Sequence, residues 1–465
     1  MIVTIVVLFL IGYLAIALER QLRVDKSAIA LLLGMLLWVV YTMGAAEIVP
    51  NVSLDGLEAF VADSPHLKEK SLAQQCLDYV LNVQLVESLG EIIQTILFLI
   101  GAMTIVELID VHGGFSVITD KIRTRNKKKL LWVVCITTFI FSAILDNMTT
   151  SIVMIMLLRK LKANKRERWI YTAMIVISAN AGGAWSPIGD VTTIMLWVKG
   201  NVTAGALISY VLLPSIVSLL VPLFIVSRNM KGKLPKHVEE VKTDDPITRR
   251  EKKTILLLGV IGLLFVPVFK SITHMPPFVG ILFVLGVLWT FTECFYNGKR
   301  LDLSREQRLP KVIARIDMPS ILFFLGILMA VSVLQVSGIL DTTSTFLDEK
   351  IHNIYVIDTL LGMLSSVVDN VPLVAGVMGM YPVELIAEPS TYAANFMVDG
   401  AFWEFLSYCA GVGGNLLIIG SAAGVIAMGL DKISFGWYLR KFTGVALIGY
   451  LSGALVYIIE VWLLK

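Results

Sequence analysis

Read for hydrophobicity alone, the chain is a succession of long apolar runs parted by short polar connections. The runs fall near 1–18, 27–45, 91–110, 130–158, 169–198, 203–227, 254–270, 277–296, 318–340, 351–380, 400–430 and 442–464. A helix needs roughly 20 apolar residues to cross a bilayer, and this pattern predicts an all-α polytopic membrane protein. The opening MIVTIVVLFLIGYLAIALERQLR has no basic n-region and no small-residue cleavage pattern. It is therefore expected to be a retained first span and not a signal peptide.

Two of these runs do not read as simple spans. The run 130–158 has KIRTRNKKK at one end and RKLKANKRER at the other. Loops rich in Lys and Arg stay in the cytoplasm, so both ends are expected on one side. That predicts a re-entrant helical hairpin with its tip at Asp146-Asn147. The run 351–380 is flanked by DTTSTFLDEK and YPVELIAEPSTYAANFMVD, with one lysine between them, and reads as a hairpin entering from the opposite side. On this scheme only Lys68, Lys70, Lys199, Lys270, Lys350 and Lys465 lie outside, leaving 33 of the chain's 39 Lys and Arg on cytoplasmic connections. Both termini are expected outside, in a bacterial-type cytoplasmic (inner) membrane.

Composition agrees. Of 465 residues, 56% are hydrophobic and 16% charged, with mean hydropathy +0.79, against about 25% charged in soluble proteins. Cys76, Cys135, Cys294 and Cys409 are scattered and have neither redox nor zinc-ligand spacing. The net charge of +3 gives no reason to expect a nucleic-acid partner, and no cofactor motif is present.

The sequence also repeats. LFLIGAMTIVELIDVHGGF (Leu97–Phe115) aligns with LFFLGILMAVSVLQVSGIL (Leu322–Leu340), Asp146-Asn147 with Asp369-Asn370, and NAGGAWSPIGDVTT with GVGGNLLIIGSAAG, in the same order and at nearly one offset. With hairpins on opposite sides the repeat is inverted, a pattern of secondary transporters. The expected organisation is then fourfold: residues 1–90 as N-terminal spans and an outer loop; 91–227 as the first repeat, with hairpin 130–158 and broken helix 169–198; 228–317 as a basic cytoplasmic loop, two scaffold spans and a second basic loop; and 318–465 as the second repeat, with hairpin 351–380 and broken helix 400–430.

The chemistry-bearing residues cluster in these motifs. Asn147 and Asn370 suit helix N-caps at the hairpin tips, and Pro372 suits the first turn of the outgoing arm. Capping alone explains the asparagines, but Asp146 and Asp369 are costly at membrane depth and such acids mark ion or proton paths. SANAGGAWSPIGDVTT interrupts an apolar span with Gly182, Gly183, Pro187 and Gly189, which unwinds the helix and frees carbonyls. Helix packing by small residues accounts for the glycines but not for Asp190. Carboxylate, hydroxyl and amide oxygens from Asp190, Thr192, Thr193 and Asn180 suit a hard cation. The second break offers Asn415 and Ser421, a weaker ligand set. Ser142 and Ser365 stand one turn before their tip acids and either orient or coordinate. Glu107 fits snorkelling and proton handling equally, and the five histidines lie in or beside connections.

FLIGAMTIVELIDVHGGF, ILDNMTT, NAGGAWSPIGDVTT and VVDNVPLVAG, in this order, resemble the NhaD-type sodium/proton antiporters of the ion transporter superfamily. The resemblance runs from about Leu97 onward; the first ninety residues carry little of it. It implies exchange of cytoplasmic Na⁺, often Li⁺ as well, for external H⁺. It also implies roles for Asp146, Asn147, Asp190, Thr192, Thr193, Asp369 and Asn370, with Na⁺ held at Asp146, Asn147, Asp190 and Asp369, and a homodimer with a scaffold and a mobile transport domain. Hairpin tips aim helix N-termini at the site, which by itself favours an anion. Three acids there would repel a carboxylate substrate, and the cation reading wins. The neighbouring rival is an arsenite or organic-anion permease on the same scaffold. An intramembrane aspartyl protease lacks its G-x-G-D motif here and has no use for a repeat, and a structural or receptor role leaves the acids unexplained.

Overall fold

The computed structural model describes residues 1–119, 124–160, 165–234, 248–299, 309–388 and 391–464. Parts of the basic connections behind the charge assignment, at 120–123, 161–164, 235–247 and 300–308, lie outside the described residues. Among those described, the chain is helical and has no strand beyond isolated bridges. Eight helices are long and apolar enough to cross a membrane.

The principal helices are α1 (Ile2–Ala17), α2 (Lys26–Met43), α3 (Leu72–Val111), α4 (Lys127–Leu145), α5 (Asn147–Lys160), α6 (Lys165–Gly183), α7 (Val191–Lys199), α8 (Ala204–Arg228), α9 (Arg249–Thr273), α10 (Pro277–Lys299), α11 (Met318–Val336), α12 (Ile339–Lys350), α13 (Ile354–Leu364), α14 (Asn370–Met380), α15 (Ala401–Gly413), α16 (Ala422–Asp431) and α17 (Thr443–Leu464). Their limits follow the hydropathy, and polar residues set many starts. Asp25 accepts the Ser27 N–H at 2.8 Å and Asn126 the Lys129 N–H at 3.1 Å, each satisfying a donor that the first turn leaves open. One expectation is corrected. The stretch 46–90 is not a loop: it forms the short helices Ala45–Val52 and Leu54–Asp63 and then the first turns of α3, which is 40 residues long. Its acids mask an amphipathic pattern.

The chain divides into two compact units. The first comprises Met1–Leu97, Asp317–Asn353 and Val371–Pro382. Its heart is the crossing of α2 and α11, where a Cβ on Gly34 would sit 2.4 Å from the Gly326 carbonyl oxygen. Trp38 Nε1 donates to the Met329 carbonyl at 3.1 Å, and Tyr41 OH to Gln84 Oε1 at 2.8 Å. Thus both indole and phenol have the partners their burial demands.

The second unit comprises Phe98–Ile316, Ile354–Asn370 and Val383–Lys465. Within it α4 runs beside α6 in the same direction: Tyr171 OH donates to the Lys127 carbonyl near their starts, and Ser142 Oγ to the Ala179 carbonyl near their ends. The chain turns at Asp146, where φ is 79°, and α5 returns against α6. The pair α13 and α15 is built alike. Tyr355 meets Phe405 near the starts, with ring centroids 5.7 Å apart, and Ser365 Oγ donates to the Ala410 carbonyl at 3.0 Å.

Close backbone contact fixes both pairs. A Cβ on Gly182 would lie 2.2 Å from the Phe139 carbonyl oxygen, and one on Gly413 2.0 Å from that of Gly362. Gly413→Ala is expected to cost about 3 kcal/mol, the upper end for overpacking, because backbone must move to make room. Gly286→Ala, with nothing within 4 Å of the added carbon, should leave thermal stability in detergent unchanged or raise it. Equal melting of the two variants would show that the helices separate freely.

Candidate functional site

Two helices of the second unit break at matching places, between Gly183 and Val191 and between Gly413 and Ala422. In each break a glycine pair folds onto itself. A Cβ on Gly183 would meet the Gly189 carbonyl oxygen at 2.4 Å, and one on Gly414 that of Gly420 at 2.8 Å. The breaks cross each other. Asn180 Nδ2 donates to Asn415 Oδ1 at 2.9 Å and to Ser421 Oγ at 2.8 Å, while Ser407 Oγ donates to the Ala184 carbonyl at 2.9 Å. Residue numbers rise on one side as they fall on the other, so α6 and α15 are antiparallel where they meet.

Asp190 stands at the centre and is 2% exposed. It is the N-cap of α7. Its Oδ1 accepts the Thr192 N–H at 3.1 Å, and Thr193 Oγ1 donates to its carbonyl at 2.8 Å and accepts its N–H at 3.2 Å. Thr193 is thereby committed to the cap, whereas the buried Thr192 hydroxyl has no hydrogen-bond partner. From the opposite side Asn147 Nδ2 donates to Asp190 Oδ2 at 2.6 Å and to Asn180 Oδ1 at 3.1 Å. Asn370 Nδ2 stands 3.4 Å from both carboxylate oxygens. The groups that donate to that carboxylate from Asn147, Asn370 and Thr192 are all neutral N–H groups.

The tip acids behave differently from expectation. Asn147 was expected to cap α5; the cap is Asp146, whose Oδ1 accepts the Thr149 N–H at 2.7 Å and whose Oδ2 accepts the Thr149 hydroxyl at 2.9 Å. Asn147, one residue on, is released to reach Asp190. Asp146 and Asp369 are each half-buried. Asp146 lies close enough to Asp190 for their charges to interact, as does Asp369. Among the described residues, however, no group of three His, Cys, Asp or Glu side chains converges tightly enough to hold a metal ion. One carboxylate, amides and a hydroxyl make the closest oxygen-bearing set.

Comparison with known proteins places this arrangement. The family model described as "Citrate transporter" matches residues 13–398. Sodium/proton antiporter 1 of Arabidopsis thaliana is 42% identical across 98% of this chain and 72% of its own. Sodium/proton antiporter 2 of the same plant is 40% identical across 97% and 98%, and the Na⁺/H⁺ antiporter NhaD of Vibrio cholerae 28% identical across 97% and 90%. The chain belongs to the family of NhaD-type sodium/proton antiporters. These relationships span nearly the whole chain, so the first ninety residues belong to the family match as well, contrary to the motif-based expectation.

Seen within the NhaD-type family, the supporting residues divide into two groups. Ser142 and Ser365 each donate to a carbonyl on the neighbouring helix, which orients the tips. Asn415 is held through its carbonyl by Tyr438 OH at 2.8 Å, and its Nδ2 has no partner. Glu107 stands apart, with Arg315 Nη1 3.9 Å from its Oε1. Two features escaped the sequence reading. Thr150, one turn into α5, carries a buried hydroxyl with no partner; the doubled threonine of ILDNMTT was its only trace. Arg168, Trp169 and Thr172 all bond to Asp431, 2.8 Å away at the Arg168 Nε, a pairing across 263 residues that no local pattern announces.

Proposed function

We propose that this protein exchanges Na⁺ for H⁺ across a membrane by alternating access, with Asp190 as the carboxylate for which the two ions compete. One observation carries the reading: a buried carboxylate whose bonded partners are all uncharged. Such a group is costly to hold ionised, and a cation or a proton relieves it. Asp190 with the Thr192 hydroxyl and the amide oxygens of Asn147 and Asn370 supplies the oxygen donors that hard cations take. Asp146 and Asp369 flank the centre, add negative charge and draw the cation in.

The same geometry weighs against an organic anion. Asn147, Asp190 and Asn370 stand at the N-terminal ends of α5, α7 and α14, whose partial positive charge favours an anion. In a carboxylate transporter that place belongs to the substrate; here the protein's own Asp190 fills it. The second break has Ser421 at the corresponding position and no carboxylate.

Protonation of Asp190 expels Na⁺, and Na⁺ binding expels the proton. If reorientation requires either one or the other, exchange is obligatory. The antiparallel crossing of α6 with α15, and the matching contacts Ser142–Ala179 and Ser365–Ala410, support an inverted repeat. The return of α5 along α6, which leaves Lys127 and Lys160 at one end, supports a re-entrant hairpin. With the charge asymmetry these support a topology that has the basic connections in the cytoplasm and both termini outside. A homodimer, acceptance of Li⁺ and the fourfold domain scheme complete the proposal.

The test is pH-gradient collapse in proteoliposomes on adding Na⁺, Li⁺, K⁺ or citrate. Na⁺ and Li⁺ should collapse the gradient and citrate should not; the reverse result would replace the reading with an anion carrier. Asp146→Asn separates charge from capping. Asparagine caps as well as aspartate and tolerates positive φ, so thermal stability should hold while exchange slows by about tenfold, the effect of roughly 1.4 kcal/mol. Asp146→Ala should in addition cost about 1 kcal/mol of stability. Unchanged exchange in Asp146→Asn would remove its charge from the mechanism.

A further inference from the structure

Away from the crossed breaks, α13, α15 and α17 enclose a second set of acids. Asp358 on α13 is 0% exposed, and neither of its carboxyl oxygens has a hydrogen-bond partner. Glu404 on α15 is also 0% exposed, with Tyr457 OH donating to its Oε2 at 2.8 Å. The titratable groups that face Asp358 are Cys409 on α15 and Tyr450 and Tyr457 on α17, and Glu404 in turn interacts with Tyr457 and Tyr355. None of these is cationic. Tyr457, Phe405, Tyr408 and Tyr450 form a stacked aromatic wall, with neighbouring centroids 4.8, 6.1 and 6.0 Å apart.

The first half of the chain serves as an internal control. Its contacts Ser142–Ala179 and Gly182–Phe139 correspond to Ser365–Ala410 and Gly413–Gly362. By that correspondence the place of Asp358 is taken by Cys135 and that of Glu404 by Ala173, both fully buried. The helix pair therefore folds without acids. In the second half two carboxyl groups occupy the same positions, one with no partner, where an ionised carboxylate costs several kcal/mol. Packing does not require them.

We propose that Asp358 is a second proton-binding site of the exchanger, distinct from the Asp190 centre and set on the path by which the exchanged proton reaches it. This rests on the antiport reading above. Asp358 and Gly362 lie on one face of α13, and Ser365, which follows its last residue and still bonds back to the Leu361 carbonyl at 2.8 Å, continues that face (positions i, i+4 and i+7) towards Asp369 and Asn370. Asp358 and Ser365 are thus about 10 Å apart along the axis. The step is proton transfer alone: a hydronium ion gives its proton to the Asp358 carboxylate when this region opens to water. The carboxylic acid later yields that proton towards the Asp190 carboxylate as Na⁺ leaves. Glu404, held by the Tyr457 hydroxyl, adds a second carboxyl group and no cation to these surroundings.

The experiment uses the full chain in proteoliposomes, as wild type, Asp358→Asn and Asp358→Cys, the last being the first half's own solution. Exchange of ²²Na⁺ for Na⁺ needs no proton and should stay within about twofold of wild type, whereas Na⁺-driven proton flux should fall at least about tenfold, as for loss of a proton-transfer group. Infrared difference spectra should show a protonated-carboxyl band in the wild type that both variants lack. Wild-type proton flux and an unchanged band in both variants overturn the proposal. Loss of Na⁺/Na⁺ exchange in both also overturns it, since that marks a structural residue. Should the wild type itself move no protons with Na⁺, the antiport reading fails instead, and the infrared band alone decides whether Asp358 carries a proton.

Discussion

Asp190→Asn is expected to abolish Na⁺-driven proton movement and to leave a folded, membrane-inserted protein. The substitution keeps the shape of the side chain. An asparagine Oδ1 still accepts the Thr192 N–H, and the reciprocal cap through Thr193 uses only Asp190's backbone. Asparagine and aspartate rank together as N-caps. What disappears is the charge. At about 4 Å and an effective dielectric of about 20, one unit charge is worth about 4 kcal/mol, or roughly a thousandfold in cation affinity. The titrating group disappears with it, so there is neither Na⁺ binding nor proton release. Thermal stability should fall by about 1–3 kcal/mol, because the amide nitrogen that replaces Oδ2 faces the Asn147 Nδ2 donor and cannot accept its hydrogen bond. Flux is read by gradient collapse and binding by ²²Na⁺ retention. Wild-type Na⁺/H⁺ exchange by this variant would end the claim that the two ions share Asp190.

Much of this candidate site was legible in the sequence, and for identifiable reasons. Acids and amides inside apolar runs stand out because burying them is costly, so Asp146, Asn147, Asp190, Asp369 and Asn370 declare themselves. Gly182, Gly183, Pro187 and Gly189 mark the break because few other residues accept that backbone. The division of labour at the tip was not legible. Whether Asp146 or Asn147 caps α5 depends on a one-residue shift of the helix start, and either residue type can cap. The stretch 46–90 misled because short amphipathic helices with a proline at Pro50 have the composition of a loop. Asp358 and Glu404 sit alone in apolar helices without a motif, and only the surrounding tyrosines show that they lie together.

The comparison of halves explains why a scaffold shared with carboxylate transporters serves a cation here. Both breaks close on a glycine pair, and both are followed by a capping residue: Asp190 for α7, and Ser421, which accepts the Gly424 N–H at 3.2 Å, for α16. The backbone is common property. Charge is placed on it unequally, with the central carboxylate in the first half and the buried pair Asp358 and Glu404 in the second. Asn180 joins the halves by bonding to both Asn415 and Ser421, and Asn147 bonds to both Asn180 and Asp190, so a chain of hydrogen bonds links Asp190 to the second break.

Arg168→Ala should destabilise the protein by about 3 kcal/mol, the effect of stranding a buried charge. Asp431 ends α16 with its side chain fully buried, and Arg168 near the start of α6 is the cation bonded to it, its Nε 2.8 Å from Oδ1. Thr172 Oγ1 donates to the other carboxyl oxygen and Trp169 Nε1 to the backbone carbonyl at 3.0 Å. Removing the guanidinium leaves the carboxylate with a hydroxyl and no counter-charge. The consequence reaches the site, because α6 leads to Asn180 and α16 starts at Ser421, the two residues bonded across the breaks. Adding Asp431→Asn to the Arg168→Ala variant should restore most of the lost stability, since Thr172 and Trp169 can still bond to an asparagine and no charge is stranded. Melting of the four proteins in detergent gives the coupling directly. If the double variant melts no higher than Arg168→Ala alone, the stranded charge is not the cause, and the contribution of Arg168 lies in the packing of its stem.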